Sequence, residues 1–185
     1  MLDRVTVESM GFASIGANVL ISDCASFYNC ANISLGNNVR IDDFCVLSAG
    51  AGGITIGNYV HIAVYSLLIG AGKITLSDFC NISSRVAIYS SSDDFSGKWM
   101  TNPMVSSEYT NVMHAEVYIG RHAIVGSGSV VLPDVVIEEG VAVGALSLVK
   151  KHCQAFGVYV GTPAKKIAER KRDLLQLEQE FLSKH

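Results

Sequence analysis

The chain has 185 residues and a mass of 19.8 kDa, which suits one domain with its own buried core. Hydrophobic residues make up 49% of it and charged residues 17%, which is too apolar for a disordered chain. No run approaches the roughly 18 uncharged apolar residues of a spanning helix, so we expect no membrane insertion. The first residues lack the basic head and apolar run of a signal peptide, which favours the cytoplasm.

The net charge of −3 is unevenly distributed along the chain. Residues 1–149 contain 6 basic and 13 acidic side chains, whereas residues 150–185 contain 8 and 4. A basic C-terminal segment on an acidic body argues against nucleic-acid binding and favours a solvated helix or a local polyanion site. The five cysteines form no CxxC pair, so we expect reduced side chains that mostly fill the core.

The sequence repeats with a period of six residues. An aliphatic or aromatic residue opens each block, and a small or aliphatic residue often follows four places later. The openers fall into groups of three and are Ile15, Ile21 and Phe27, Leu35, Ile41 and Leu47, Ile56, Ile62 and Leu68, Leu76, Ile82 and Ile88, Ile119, Val125 and Val131, and then Ile137 and Val143. This period does not match the 3.6 residues of a helical turn, but it fits a triangular coil of three short strands and three tight corners. Stacked coils then share one aliphatic core.

The corners of these coils have their own composition. The runs 50–53 and 70–72 are rich in glycine and lengthen two corners, while Asn37-Asn38 and Asn58 suit left-handed backbone angles. Cys45 and Cys80 fall at an interior position of the repeat. Cys24 and Cys30 fall one place earlier, where a side chain faces outward at a corner.

A long insertion separates the fourth group of blocks from the fifth, because their first openers, Leu76 and Ile119, are 43 residues apart. The extra residues leave the coil between about Tyr89 and Ala115. Loops of this length are functional or disordered, and this one is rich in aromatic residues. We therefore predict an ordered arm that contacts a neighbour, with Trp99 and Tyr109 as a wall for a sugar acceptor.

The repeat fades after Val149, and a helix is predicted over residues 163–185. Pro163 suits the first turn of a helix. Apolar residues recur at roughly helical spacing among charged ones, namely Ile167, Leu174, Leu175, Leu177 and Phe181. We expect this helix to cap the open end of the coils.

These blocks, the insertion before the last coils and the closing Gly161-Thr162-Pro163-Ala164-Lys165 resemble the hexapeptide-repeat acyltransferases. The pattern is most similar to maltose and galactoside acetyltransferases and to sugar acetyltransferases of polysaccharide and lipopolysaccharide synthesis. The resemblance implies a left-handed parallel β-helix over residues 1–162 and a homotrimer with active sites between subunits. It also implies acetyl transfer from acetyl-CoA to a sugar or a nucleotide-linked amino sugar.

The resemblance further places the pantetheine arm of acetyl-CoA along the last coils. Small side chains there let an extended amide chain approach the backbone. The implied contacts are Gly126, Ser127, Gly144, Ala145, Ser147, Thr162 and Pro163. The cations expected to bind the CoA phosphates are Lys150, Lys151, Lys165 and Arg170.

Acetyl transfer needs a base for the nucleophile and donors for the thioester oxyanion. The family places a catalytic histidine where the chain leaves the coil, but Asp93 stands at that place here, followed by Asp94. Three alternatives follow. One of these aspartates is the base after desolvation, or His114 or His122 reaches the same cleft, or the acceptor is a neutral amine with little need for a base.

Two other functions fit the same fold. One is a scaffold that has lost activity together with its histidine. The other is a trimeric carbonic-anhydrase-like enzyme with zinc held by His61, His114 and His122. The eight-residue gap between His114 and His122 and the acetyl-CoA features argue against the zinc enzyme, so we expect no metal.

Overall fold

The computed structural model describes residues 1–184, and most of them form a parallel β-helix of six complete coils and a partial seventh. Each complete coil has three strands. In chain order they are Ser14–Ile15, Leu20–Ile21 and Ser26–Tyr28 in coil 1; Ile33–Leu35, Arg40–Ile41 and Val46–Ala49 in coil 2; Ile54–Ile56, His61–Ile62 and Leu67–Gly70 in coil 3; Ile74–Leu76, Asn81–Ile82 and Ala87–Tyr89 in coil 4; Val117–Ile119, Ile124–Val125 and Val130–Val131 in coil 5; and Val135–Ile137, Ala142–Val143 and Leu148–Val149 in coil 6. Coil 7 begins with a bridge from Cys153 to Ile137 of the first strand of coil 6, and its second strand is Gly157–Val160. The predicted β-helix is confirmed.

The first, second and third strands of successive coils form three sheets, here called A, B and C. Equivalent repeat positions pair in register, as Ile62 does with Ile41 on one side and Ile82 on the other. The block openers therefore stack in columns inside the helix, and all of them from Leu35 onward are buried. Burying these columns between stacked coils supplies most of the apolar core.

The three corners are named by the sheets that they join, AB, BC and CA. Most AB and BC corners contain one residue with a positive φ, and it is usually not glycine. Asn38 has the predicted left-handed angle, with φ 56°, but in the next coil Tyr59 adopts it in place of Asn58. The Asn58 side chain instead accepts a hydrogen bond from the Asn37 backbone N–H at 2.9 Å, which ties the two AB corners together.

The cysteines are all free thiols. Cys45 and Cys80 lie in the core, as predicted, and Cys24 is exposed. Burial raises the pKa of the Cys80 thiol to about 12, so this side chain stays protonated.

The insertion leaves and rejoins the coils as a short antiparallel ladder, in which strand Ser91–Ser92 pairs with strand Met113–His114. A 3-10 turn at Ser107–Tyr109 and a bridge between Met100 and Thr110 hold its outer part together. The arm is thus ordered, as predicted. Its contact with a neighbour stays a prediction.

The C-terminal helix begins ten residues later than predicted. Residues Lys165–Glu169 form a strand that pairs antiparallel with Gly157–Val160, and helix α2 spans Asp173–Leu182. The last parallel strand would otherwise present an unpaired edge, and the strand over 165–169 satisfies its backbone groups. The β-helix therefore extends beyond residue 162. His185, the end of the predicted helix, lies outside the described residues.

Helix α2 does not cap the open end of the coils. It lies along the AB corner, where Phe181 packs edge-on against Tyr59 and Leu182 lines a cavity with Ala17. At the other end of the molecule a short helix α1, Arg4–Ser9, covers coil 1 with its buried Val7. Within residues 1–184, neither helix is long and apolar enough to cross a membrane.

Candidate active site

The residues predicted to bind pantetheine lie at the BC corner, one group above another on coils 5, 6 and 7. Gly126 and Ser127 are in coil 5, the run 144–147 is in coil 6, and Thr162 and Pro163 follow in coil 7. A Cβ atom on Gly126 would lie only 2.6 Å from the backbone N of Ala145. Coil stacking itself therefore requires a glycine there, whatever the corner binds.

Four of the seven residues face solvent, among them Thr162 and Pro163, and one is buried. Ser127 and Ala145 are exposed, but Ser147 is only 2% exposed. The Ser147 hydroxyl donates to the Gly144 carbonyl at 2.8 Å and accepts from the Gly161 N–H at 3.0 Å. The Ser147 hydroxyl is therefore used within the corner, and a contact of Ser147 with the cofactor stays a prediction.

Three of the four predicted phosphate-binding cations meet at one cavity. Lys150, Lys151 and Lys165 line a space of about 330 Å³ together with Pro163 and Ala164. No acidic residue lines it. The cavity lies at the top of sheet C. Lys150 and Lys151 follow the third strand of coil 6 on the CA corner, and Pro163 and Ala164 come from the BC side, where the Ala164 N–H donates to the Leu148 carbonyl.

Arg170, the fourth predicted cation, lies elsewhere. Its guanidinium donates to the carbonyl oxygens of His122 at 2.8 Å and Gly140 at 3.0 Å, on the AB corner. Arg170 pins the segment before helix α2 to the coils and does not line the lysine cavity. Only the fold shows this, since its partners lie 30 and 48 residues away in sequence.

The predicted catalytic aspartates lie on the arm, just beyond the CA corner of coil 4. Asp93 is exposed and lines two neighbouring cavities of about 430 and 610 Å³, each also lined by Ser91. Asp94 accepts hydrogen bonds from the Ser96 hydroxyl at 2.7 Å and backbone N–H at 3.2 Å. Asp93 therefore borders the space beside the arm, whereas Asp94 is hydrogen-bonded within the arm.

His114 lies at the base of the arm, opposite Ser91. The Ser91 hydroxyl accepts a hydrogen bond from the Ala71 N–H at 2.7 Å and lies 2.7 Å from Nδ1 of His114. The hydroxyl either donates to Nδ1, which leaves the proton of a neutral ring on Nε2, or accepts a second hydrogen bond from Nδ1–H. In the first tautomer the exposed Nε2–H of His114 can donate to solvent or ligand. The sequence analysis did not identify Ser91. Its position opposite His114 depends on the strand pairing at the base of the arm.

His122 is not in a cleft with the arm. It lies on the AB corner beneath helix α2, stacked on Phe79 with ring centroids 5.1 Å apart, and its Nε2–H donates to Glu178 at 2.7 Å. Burial and the charge of Arg121 lower the pKa of His122. Within one chain His122 does not share a cleft with the arm, which leaves from a different corner, and a catalytic role of His122 stays a prediction.

The three histidines of the zinc alternative do not converge within one chain. His61 lies on sheet B, where its Nε2 is 2.8 Å from Asp42. His114 and His122 lie on two different corners, as described above. Among residues 1–184, no group of three histidine, cysteine or acidic side chains is close enough to hold a metal ion.

The architecture has close counterparts among known proteins, although no protein-family model matches the chain. A dTDP-4-amino-4,6-dideoxy-D-glucose acyltransferase from Escherichia coli is 62% identical over 180 residues, which cover 97% of this chain and 94% of that protein. The chain belongs to this acyltransferase family. WbbJ, a candidate O-acetyl transferase of lipopolysaccharide biosynthesis from Escherichia coli K12, is 29% identical over 141 residues, covering 72% of this chain and 67% of that one.

Solved structures of AntD, an N-acyltransferase from Bacillus cereus, superpose on the acyltransferase over almost its whole length. A complex with dTDP and 3-hydroxybutyryl-CoA is 48% identical, has a TM-score of 0.95 and covers 99% of this chain and 96% of that one. The S84C variant with dTDP-4-amino-4,6-dideoxyglucose and coenzyme A is 47% identical, with a TM-score of 0.96 and coverage of 100% and 97%. The present acyltransferase is thus an enzyme that takes its acyl group from an acyl-CoA.

The candidate site of the acyltransferase is divided between two corners. The arm, with its aspartates and His114, leaves from the CA corner, whereas the predicted pantetheine residues lie at the BC corner. These corners are the two opposite edges of sheet C. A single chain therefore presents the donor residues and the arm on either side of one sheet.

Proposed function

We propose that this acyltransferase transfers an acyl group from acyl-CoA to the 4-amino group of dTDP-4-amino-4,6-dideoxyglucose. The observation that carries the proposal is the 62% identity, over 97% of the chain, to an acyltransferase named for that substrate. The AntD complex with the same sugar nucleotide and coenzyme A supports it. The sequence left open whether the acceptor group is an amine or a hydroxyl, and in this proposal it is the amine.

The active enzyme in this proposal is a homotrimer in which the arm of one subunit meets the BC corner of the next. The division of the site between the two edges of sheet C supports this assembly, since self-association brings a donor corner and an arm together.

The outer face of sheet C supports self-association as well. One outward residue from each of coils 2–6 is aliphatic, namely Val46, Leu67, Ala87, Val130 and Leu148, and these pair in one continuous row. The corresponding outward row of sheet A is mainly Ser and Thr in coils 1–4, at Ser14, Ser34, Thr55 and Thr75. A sheet with aliphatic side chains on both faces is typical of one that is covered on both sides.

The acceptor amine is placed between Asp94 and Ser84 in this proposal. Solved AntD structures include a D94N and an S84C variant, and AntD aligns with this chain over 98% and 97% of its own length. The present chain has Asp94 and Ser84 at the same numbers, on the arm and at the BC corner of coil 4, below Ser127. A carboxylate and a hydroxyl are suitable acceptors for the two N–H groups of an amine.

The chemistry needs few proton transfers. The neutral amine attacks the thioester carbonyl, a C–N bond forms, and the C–S bond breaks as CoA leaves as a thiolate. The proton lost by the nitrogen balances the proton gained by the sulfur, so no strongly perturbed base is required. The Nε2–H of His114 supplies a donor for the thioester oxyanion.

The cellular setting in this proposal is the cytoplasm, in a pathway that makes surface polysaccharide or lipopolysaccharide. The match to WbbJ supports the polysaccharide assignment. Five free thiols suit a reducing compartment.

The test is an assay with purified protein, dTDP-4-amino-4,6-dideoxyglucose and either acetyl-CoA or 3-hydroxybutyryl-CoA. Release of the CoA thiol is measured with a colorimetric thiol reagent, and the product is identified by mass spectrometry. The control acceptor is dTDP-glucose, which has a hydroxyl in place of the 4-amino group and a further hydroxyl at C6. We expect acylation of the amino sugar alone, and the ratio of kcat/KM for the two donors identifies the acyl group. Equal acylation of dTDP-glucose, or none of either acceptor, would contradict the proposal.

A further inference from the structure

The β-helix has two aromatic ladders, one at the AB corner and one at the BC corner. In the first, Tyr59 and Phe79 stack with centroids 4.8 Å apart, and His122 continues the stack. In the second, Phe44 and Tyr65 stack with centroids 4.9 Å apart. The common signal in sequence is an aromatic residue at the same repeat position of consecutive coils.

The two ladders differ in what covers them. The AB ladder lies under helix α2, whose Phe181 packs edge-on against both Tyr59 and Phe79. The BC ladder has no such cover in residues 1–184, and Phe44 and Tyr65 are 50% and 52% exposed. Two stacked rings left half in solvent form an apolar, planar surface.

A cation stands next to the uncovered ladder. The guanidinium of Arg85, one coil above, lies over the Tyr65 ring at 6.0 Å from its centroid. Arg85 is exposed, and no carboxylate in the described part of the chain pairs with it. The corner thus offers stacking surface and an unneutralised positive charge side by side.

The ladder lies on the same corner as the predicted donor residues. From top to bottom, the BC corner contains Thr162 and Pro163 of coil 7, the small residues of coils 6 and 5, Ser84 and Arg85 in coil 4, and then Tyr65 and Phe44. Pro163 also borders the lysine cavity. In coil 5 the ladder position is Gly128, and the Leu146 side chain of coil 6 lies over it, so the aromatic column ends below this point. An acyl donor held on the upper coils would meet a ligand held on the lower coils near Ser84.

We propose that Phe44 and Tyr65 bind the pyrimidine ring of the nucleotide-linked acceptor and that Arg85 pairs with its diphosphate. This inference rests on the proposed function and adds the residues that select a nucleotide-linked sugar. The flat pyrimidine ring can stack on the exposed faces of Phe44 and Tyr65, since stacking on aromatic side chains does not depend on the identity of the base. The guanidinium suits the diphosphate through charge-assisted hydrogen bonds.

The test is calorimetric titration of wild type, Tyr65→Ala and Arg85→Gln with dTDP, thymidine and CoA. Tyr118→Ala is the matched control, since Tyr118 is a 40% exposed tyrosine on sheet A. We expect Tyr65→Ala to raise the Kd for dTDP by about tenfold and to leave the Kd for CoA unchanged. We expect Arg85→Gln to weaken the binding of dTDP but not of thymidine, which has no phosphate. Tyr118→Ala should leave the Kd for both ligands unchanged.

The outcomes separate this inference from the proposed function. If wild type neither binds dTDP nor acylates its amino sugar, the proposed function fails. If wild type does both and Tyr65→Ala binds dTDP as tightly as wild type, the inference is wrong. If Tyr65→Ala instead lowers the mass of the assembly by light scattering, the ladder is a subunit contact and the inference is also wrong.

Discussion

Glu178 of helix α2 accepts a hydrogen bond from Nε2 of His122 at 2.7 Å, which joins the C-terminal helix to coil 5. The same carboxylate forms an ion pair with Arg121, whose guanidinium also donates to Asp78 at 3.1 Å. The side chains of His122 and Glu178 are 11% and 10% exposed. This cluster is the polar centre of the contact between helix α2 and the AB corner, next to the aromatic contacts of Phe181.

His122 is therefore expected to act in stability and not in catalysis. Replacing it with alanine leaves a nearly buried carboxylate with one donor fewer, at a cost of about 2 kcal/mol. For a chain of this size, that corresponds to a fall in Tm of roughly 4–8 °C. We expect His122→Ala to show this fall with kcat within about twofold of wild type, the range left by removing a distant structural contact.

The control for that experiment is Glu178→Gln, which changes the other partner of the same contact and should also lower Tm. A loss of kcat of about 10²-fold in His122→Ala, with Tm unchanged, would instead assign His122 to the chemistry.

Much of the fold could be predicted from sequence because each coil packs on its immediate neighbours in one repeated register. Ile62 meets Ile41 and Ile82, each about one coil away in sequence, so the six-residue period suffices to place all three. The start of helix α2 could not be predicted in this way, because the pairing of Lys165–Glu169 with Gly157–Val160 is a tertiary contact that no periodicity reveals.

The same distinction explains the site. The exposed small residues of the BC corner follow from the repeat, and so does the position of the arm. The contacts of His122 and Arg170 could not be predicted because their partners, Glu178 for one and the carbonyls of His122 and Gly140 for the other, are far away in sequence. The division of the site could have been predicted, since Gly126 follows a second strand of its coil whereas the arm follows a third.

Lys165 is expected to bind a phosphate of the acyl donor. Replacing it with alanine removes one of three cations from the lysine cavity, and the loss of a charge-assisted contact should raise the Kd for acetyl-CoA by about tenfold. Calorimetry at two salt concentrations measures the change. If the contact is to the 3′-phosphate, CoA lacking that group should bind wild type and Lys165→Ala about equally.

The matched control is Lys171→Ala, which removes an exposed lysine outside this cavity and should leave the Kd unchanged. Equal weakening in both variants would indicate a general effect of charge and would remove the specific role of Lys165.

Asp94 is expected to hold the acceptor amine and not to remove a proton from it. Asp94→Asn keeps the shape of the side chain and one acceptor oxygen but loses the charge, so KM for the amino sugar should rise by about tenfold while kcat falls less. The pH profile of kcat/KM tests the distinction. If deprotonation of the substrate amine causes the rise of kcat/KM with pH, Asp94→Asn shows the same rise as wild type. If the rise is lost in Asp94→Asn, Asp94 is the base. Asp93→Asn is the neighbouring control.

The aliphatic outer face of sheet C is expected to form the subunit contact. Leu67→Glu places a charge within the row that runs from Val46 to Leu148, where burial in an interface would leave the charge unpaired. Thr55→Glu is the matched control, because Thr55 is the outward residue of sheet A in the same coil. By light scattering we expect about 59 kDa for wild type and Thr55→Glu, three times the chain mass of 19.8 kDa, and a smaller species for Leu67→Glu. Activity should fall with the mass, since a separated subunit no longer brings an arm to the BC corner of its neighbour. A Leu67→Glu protein that keeps the wild-type mass would show that subunits meet through another face.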